Sequence, residues 1–391
     1  MNSEVYVVSS TNKLFLPYFG VMASSIVRQS GKNRSIRFLL LSSDITESDL
    51  GNYFGPADSR SLPIQLIDVS KKFAPFRNLK LEEGFPLEAV FRLAIPEVVP
   101  PHINRVLYLD CDLIALKDIA PLFDIDLGSN AIAAVQDIGI IGMSYENLSA
   151  EAERLRKLNI KEPMNYFSSG VMVWDLDAVK MRFDFQDAME WISTNKPKFC
   201  DQDYLNYVFQ GNTLLLNMKW NVLFDSNGIR VSEIASKAPR HLFQEYLEAR
   251  NDPSIFHFAG PDKPWSQPVD GSKWFWECAR SSDVYEYVVA SLGSAKAKDF
   301  LKDTFGSIWN TFDNLYFQIN EGERIRHDLH LRLTASEEAL ASCQRRLEIT
   351  ERSLKECAEE IDAIKNRTEE LWQLKDILHR LIDKLRTKIH F

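Results

Sequence analysis

The sequence predicts an α/β fold with a mainly parallel central sheet, followed by a helical region and a long C-terminal coiled coil. Two observations carry this. From Val5 to about Pro264, short β-branched runs alternate with longer amphipathic ones, the pattern of crossover units around a parallel sheet. From Leu329 onward, apolar residues recur by sevens in two interleaved series: Leu333, Leu340, Leu347, Leu354 and Ile361, then Leu329, Ile364, Leu371, Leu378 and Leu385. The 391 residues allow two or three structural units. We expect an α/β unit over 1–270, an aromatic-rich helical region over 271–318 packed on it, and a coiled coil over 319–391 with a basic amphipathic end.

Val5 to Val8 reads as the first strand. Leu14 to Gln29 places Phe15, Phe19, Met22, Ala23 and Ile26 at helical spacing. Ile36 to Leu41 and Ile64 to Ile67 are the next strands, separated by a helix that starts at the capping residue Thr46 and ends before Gly55-Pro56. The fourth strand, Val106 to Leu109, runs directly into Asp110-Cys111-Asp112. A run this apolar is buried on both faces, so Asp110 to Asp112 sit at the carboxyl edge of a central strand, where open α/β sheets bind ligands. Between Gly271 and Gln318 the many aromatics, among them Trp274, Phe275, Trp276 and Tyr285, read as helices packed on the α/β unit.

Composition removes several function classes. A hydrophobic share of 45% with 16 Gly and 16 Pro excludes collagen-like and wholly disordered chains. A net charge of −9 argues against a surface built to hold nucleic acid. The 5 cysteines are odd in number and form no C-x-x-C pair, which disfavours a disulfide framework or structural zinc and fits a reducing compartment. With no signal-like N-terminus and no apolar run of about 18 residues, a cytoplasmic protein is expected.

Asp110 and Asp112 are spaced so that a continuing strand would project both carboxylates from one face. Two such groups repel unless a cation joins them, and a hard ion such as Mn²⁺ or Mg²⁺ would in turn bridge phosphate oxygens. Phosphatases that form an aspartyl-phosphate also open on D-x-D, but Leu113-Ile114 stand here in place of their Gly-Thr-like turn. Three more clusters stand out. Tyr166 to Trp174 sets Ser168, Ser169 and Gly170 before an apolar strand. Cys200 to Asn206 concentrates Asp201, Gln202 and Asp203 at a helix start. Ile255 to Trp265 carries His257 on a strand, then a Gly turn and Lys263.

Taken with Ser10-Thr11-Asn12 after the first strand and Phe91-Arg92, these motifs in this order resemble the family 8 retaining glycosyltransferases, the group that includes glycogenin and bacterial lipopolysaccharide galactosyl- and glucosyltransferases. The resemblance covers about residues 4 to 270. It implies a GT-A fold, a UDP-sugar donor and Mn²⁺, with Mg²⁺ as the alternative ion. It further implies Asp110, Asp112 and His257 as metal ligands and Ser9, Thr11, Asn12 and Phe15 at the uridine. Gly260 and Lys263 would hold the diphosphate, with Cys111 between the two metal carboxylates. Arg92, Asp137, Ser168, Ser169, Asp201 and Gln202 would face the donor sugar, with Gln202, Asp201 and Asp137 the catalytic candidates. The family often carries Asn where Ser168 stands.

The expected activity is metal-dependent hexosyl transfer to a glycan or lipid-linked acceptor, in bacterial surface polysaccharide synthesis. A scaffold protein with an inactive sugar-nucleotide-binding head is the alternative, and the intact Asp110, Asp112, His257 and Lys263 weigh against it. The heptads predict a homodimer ahead of a trimer. Residues 372–391, where five basic residues meet two acidic ones beside an apolar stripe, form a helix able to lie on an anionic membrane. Segment 138–165 is expected to act as a lid, with Gly139 and Gly142 bracketing turns.

Overall fold

The computed structural model describes residues 4–291, apart from 32–33, 57–60, 146–148, 225–233 and 267–268, together with residue 380. The chain divides into two units, 1–300 and 301–391. The expected coiled coil and basic C-terminal helix therefore lie outside the described residues, residue 380 excepted.

A seven-stranded sheet runs in the order β3 (Ile64–Asp68), β2 (Ser35–Ser42), β1 (Glu4–Ser10), β4 (Arg105–Leu109), β7 (Phe167–Asp175), β6 (Ile132–Gln136), β8 (Thr213–Leu216). All neighbours are parallel except around β7, which runs antiparallel to both β4 and β6. The strands read as unbroken apolar runs because both faces are covered. Val7, Leu107 and Phe38 join one core layer with Phe19 of the helix Leu16–Gln29, whereas Val8, Val106, Tyr108 and Leu39 join the other with Phe91. Period-two alternation thus distributes the side chains of one strand between two cores.

Local chemistry sets the element ends. Helix Glu47–Phe54 opens on a capping box in which Thr46 Oγ1 accepts from the Asp49 N–H at 3.2 Å and Asp49 Oδ2 accepts from the Thr46 N–H at 2.8 Å. Helix Leu16–Gln29 has no side-chain cap and begins instead with Pro17 in its first turn, where a missing N–H costs nothing. Helix Ser272–Arg280 contributes Phe275, Cys278 and Ala279 to the same core layer as Phe19, so that layer extends beyond residue 270.

Two expectations about the site strands change. β4 stops at Leu109, and residues 110–112 turn into β5 (Leu113–Ala115), which belongs to a second, three-stranded sheet ordered β5, β10 (Ile255–His257), β9 (Val222–Leu223). The D-x-D pair therefore owes its placement to a turn between two sheets and not to strand alternation. Ser168, Ser169 and Gly170 likewise lie inside β7, where the pairing with β6 jumps from Ala134–Met172 to Val135–Ser168. On the other edge of β7, Gly170 O accepts from the Asp110 N–H at 2.9 Å, carrying the β4–β7 ladder one step into the turn.

Gly139 and Gly142 do not bracket turns. Both are buried within helix Ile138–Ser144, whose N-cap is Asp137. A Cβ on Gly142 would lie 2.2 Å from the carbonyl oxygen of Ile234, a backbone atom that cannot easily yield. Among the described residues, no helix is long and apolar enough to cross a membrane. We predict that Gly142→Ala costs about 2 kcal/mol, within the usual range for overpacking. Gly51→Ala, on helix Glu47–Phe54 with nothing within 4 Å of its added Cβ, should instead gain up to about 1 kcal/mol. Urea unfolding midpoints of the two variants check both signs.

Candidate active site

The turn after β4 and the end of β10 meet at the carboxyl edge of the large sheet. Because β10 pairs antiparallel with β5, His257 lies opposite Leu113, next to the D-x-D turn. His257 Nε2 is 3.1 Å from Asp112 Oδ1 and 3.8 Å from Asp110 Oδ2. One donor atom from each of the three residues falls within 4.8 Å of the others. A Cβ on Gly170 would sit 2.3 Å from His257 Cε1 and 2.8 Å from Asp110 Oδ2, so the cluster closes only over glycine.

This set fits a divalent cation. Two carboxylates and an imidazole offer the oxygen and nitrogen donors that Mn²⁺ accepts. Behind the ring, His257 Nδ1 lies 2.9 Å from Asn221 Oδ1, while Asn221 Nδ2 is buried with no hydrogen-bond partner. An orphaned donor of this kind costs about 1–3 kcal/mol and calls for a compensating role.

After β10 the chain reverses at Gly260, whose φ of 110° lies in a region L-residues avoid. The reversal returns Lys263 to the site, with Nζ 2.5 Å from Asp112 Oδ2 and donating to Phe258 O at 2.7 Å. Burial disfavours the Asp112 charge, but the Lys263 ammonium beside it outweighs that and holds the carboxyl well below the usual carboxylate range.

A second cluster is organised by Arg92, from the 3₁₀ stretch Leu87–Ala94. Its buried guanidinium meets Asp110 Oδ1 at 2.9 Å and Asp201 Oδ2 at 3.0 Å, and donates to Ser169 O at 2.6 Å and Ser169 Oγ at 3.1 Å. Its Cζ stacks 4.3 Å over the Tyr108 ring, and the Tyr108 hydroxyl donates to Asp110 Oδ1 at 2.9 Å. Burial pushes the Asp201 carboxyl up to about 6; Arg92 opposes that shift and the Asp110 charge adds to it.

The helix Cys200–Val208 carries Asp201, Gln202 and Asp203. Gln202 Oε1 accepts from the Ser169 N–H at 3.0 Å, and its Nε2 donates to Asp137 Oδ2 at 3.1 Å and to the Tyr166 hydroxyl at 3.3 Å. Asp203 is fully buried and accepts from the Tyr166 hydroxyl at 2.7 Å, Arg154 NH1 at 2.6 Å and the Phe199 N–H at 2.9 Å.

The structure thus joins Asp110, Asp112, His257, Lys263, Arg92, Ser169, Asp201, Gln202 and Asp137 in adjoining polar contacts. The residues expected at the uridine lie at the end of β1, beside the same turn. Ser9 donates its hydroxyl to Leu109 O at 2.7 Å, Thr11 is buried, and Asn12 Oδ1 accepts from the Phe15 N–H at 3.1 Å. Phe15 is half-exposed and meets Trp265 edge-on at 6.0 Å. Cys111 donates to Ser10 O at 3.3 Å, and burial pushes its thiol well up. Ser168 Oγ accepts from the Gly170 N–H at 3.4 Å. Sequence reasoning missed Tyr108, Arg154, Tyr166, Asp203 and Asn221 as site residues. Tyr108 read as part of an apolar strand and Asn221 as part of a segment without a motif. Asp203 and Tyr166 sat inside motifs already noted, yet nothing in the spacing paired them.

The family model of Glycosyl transferase family 8 matches residues 6–268. General stress protein A of Bacillus subtilis is 24% identical over 269 residues, 67% of this chain and 87% of that protein. The lipopolysaccharide 1,2-glucosyltransferase of Escherichia coli K12 is 26% identical over 177 residues, 45% of this chain and 48% of the relative, so the match spans only about half of that enzyme. Among solved structures, the galactosyltransferase LgtC in complex with donor and acceptor sugar analogues superposes with a TM-score of 0.58 at 26% identity, covering 71% of this chain and 96% of LgtC. A GT-A-like sheet, a D-x-D turn facing a histidine and a match over most of the chain agree: the protein belongs to glycosyl transferase family 8.

Proposed function

We propose that the protein is a metal-dependent retaining hexosyltransferase that moves a sugar from a UDP-sugar to a glycan or lipid-linked acceptor in bacterial surface polysaccharide synthesis. The observation that carries this reading is the convergence of Asp110, Asp112 and His257 on one point, with Lys263 beside them and the Gln202–Asp137 pair across Arg92 and Ser169. The complex of LgtC with sugar analogues and the named activity of the lipopolysaccharide relative support the substrate class.

Asp110, Asp112 and His257 would hold Mn²⁺ or Mg²⁺, which when bound supplies Lewis-acid stabilisation of the departing diphosphate. Lys263 adds a fixed positive charge at the same oxygens without transferring a proton. Arg92 fixes Asp110 and Asp201 together, so the metal side and the sugar side of the site keep one geometry. Gln202 is held at both ends, Oε1 by the Ser169 N–H and Nε2 by Asp137, which leaves one Oε1 lone pair to meet positive character on the sugar. Asp201 Oδ2 is engaged by Arg92 and by the Ser169 hydroxyl, and an amide is a weak nucleophile. Neither group is well placed to form a covalent intermediate, so we favour front-side attack by the acceptor.

Three outcomes are expected. In a UDP-release assay over a panel of UDP-sugars with Mn²⁺, Asp112→Ala should fall below about a tenth of wild-type turnover, a loss above about 1.4 kcal/mol of transition-state stabilisation. EDTA should reproduce that loss and added Mn²⁺ reverse it. Gln202→Ala should lower kcat at least tenfold while UDP affinity, measured by calorimetry, changes less than threefold. Asp201 gives a stability signature with a definite sign. Its folded value of about 6 exceeds the ordinary 3.8, so its contribution is full below about pH 4 and is lost as pH rises through 6. Relative to Asp201→Asn, the wild type should gain about 2 kcal/mol between pH 7.5 and 4.5 in chemical denaturation.

A further inference from the structure

We propose that Asn221 is the positioning residue of the cation site. Its Oδ1 holds the His257 proton on Nδ1 and so presents a bare Nε2 to Asp110 and Asp112. This inference rests on the reading of Asp110, Asp112 and His257 as a divalent-cation site.

The geometry decides the proton's place. His257 is buried, and its Nδ1 lies 2.9 Å from Asn221 Oδ1. An amide oxygen offers only lone pairs, so the facing ring nitrogen must carry hydrogen. The neutral ring, the form that can ligate a cation, has one N–H, and with that proton held on Nδ1 its Nε2 keeps a lone pair. That lone pair points where two carboxylate oxygens already converge, at 3.1 Å and 3.8 Å, an arrangement that a cation completes. With the opposite amide orientation, Nδ2 would face Nδ1, Nε2–H would donate to Asp112, and the imidazole would cease to be a ligand.

Asn221 adopts the ligand-forming orientation although it strands its own amide donor, since Nδ2 is buried without a partner. Two constraints hold the pair in place. The parallel ladder of β9 with β10 pairs Leu223 with His257 and Val222 with Phe256, which sets Asn221, just before β9, against the ring. On another side the ring fills the space that a side chain at Gly170 would take, an added Cβ there lying 2.3 Å from Cε1 and 2.9 Å from Nδ1. Metal-bound histidines generally donate their second N–H to an oxygen acceptor, and loss of that acceptor weakens metal binding about 10- to 100-fold. Asn221 supplies such an acceptor from a position 36 residues before His257.

The test uses the full chain with ¹⁵N-labelled histidine, His257 being assigned by a His257→Gln variant, and Mn²⁺ titration followed by electron paramagnetic resonance. In metal-free wild type at pH 8, long-range ¹H–¹⁵N spectra should show His257 protonated on Nδ1. Asn221→Leu should move the proton to Nε2 and weaken Mn²⁺ binding at least tenfold. Asn221→Asp, which keeps an oxygen acceptor, should retain the Nδ1–H form and bind within about threefold of wild type; it serves as the folded comparison should the leucine variant not fold, and circular dichroism checks both. An Nε2–H form in metal-free wild type, an Asn221→Asp variant that binds more than tenfold more weakly, or a folded Asn221→Leu variant that binds Mn²⁺ as tightly as wild type would overturn the assignment. Wild type that binds no Mn²⁺ would instead sink the cation reading itself, and this inference with it.

Discussion

A buried guanidinium between two carboxylates is the constraint on which the rest of the site depends. Arg92 is 5% exposed, and a charge so far from water persists only if it is paired and its donors are met. Its donors reach Asp110, Asp201, the Ser169 carbonyl and the Ser169 hydroxyl, and its flat face rests on Tyr108. These partners come from the turn after β4, the bulge of β7 and the helix Cys200–Val208. One side chain therefore fixes the relative positions of three segments distant in sequence. Removing any partner would leave charge uncompensated in a poorly hydrated place, which is why the arrangement is rigid.

Around that centre, small residues make room and turns deliver charge. The bulge in β7 leaves Gly170 facing the cluster of Asp110, Asp112 and His257, and the missing side chain is what allows His257 and Asp110 to approach each other. The three-stranded sheet does the complementary work, since the antiparallel pairing of β5 with β10 brings His257 back to the D-x-D turn that precedes β5. The reversal at Gly260 then returns Lys263 to Asp112. Both halves of the site gather where the parallel strands β1, β4 and β6 end, because the loops that leave parallel strands collect there.

Across Arg92 the site is stiffened by a relay of neutral and charged groups. Gln202 joins Asp137, Tyr166 and the Ser169 N–H, and Tyr166 continues to Asp203 and Arg154. Asp137 also caps the helix Ile138–Ser144 by accepting from the N–H groups of Gly139 and Ile140, so one carboxylate serves a helix end and the site together. A segment bound this way, with Gly142 wedged against Ile234, is a buttress and not a hinge.

The sequence alone determined the α/β class, the order of the first four strands, and the motifs that carry charge, because each depends on local periodicity and on residue types within a few positions. Thr46 as a cap, the apolar run into Asp110-Cys111-Asp112, and the strand–Gly turn–Lys pattern around His257 were all legible for that reason. Tertiary structure decided the rest. Whether β4 continued through the D-x-D pair depended on β5 leaving for another sheet, and that is a matter of pairing with β10, more than a hundred residues later. Ser168 to Gly170 read as a loop because serine and glycine weigh against a strand locally, whereas ladders on both sides of β7 outweigh that preference. Gly139 and Gly142 read as turns for the same local reason, but both lie inside a helix, and at 142 the closeness of Ile234 leaves room only for glycine. Asn221 and Tyr108 had no signal at all, since their roles consist of one hydrogen bond or one ring face offered to a residue that only the fold brings near.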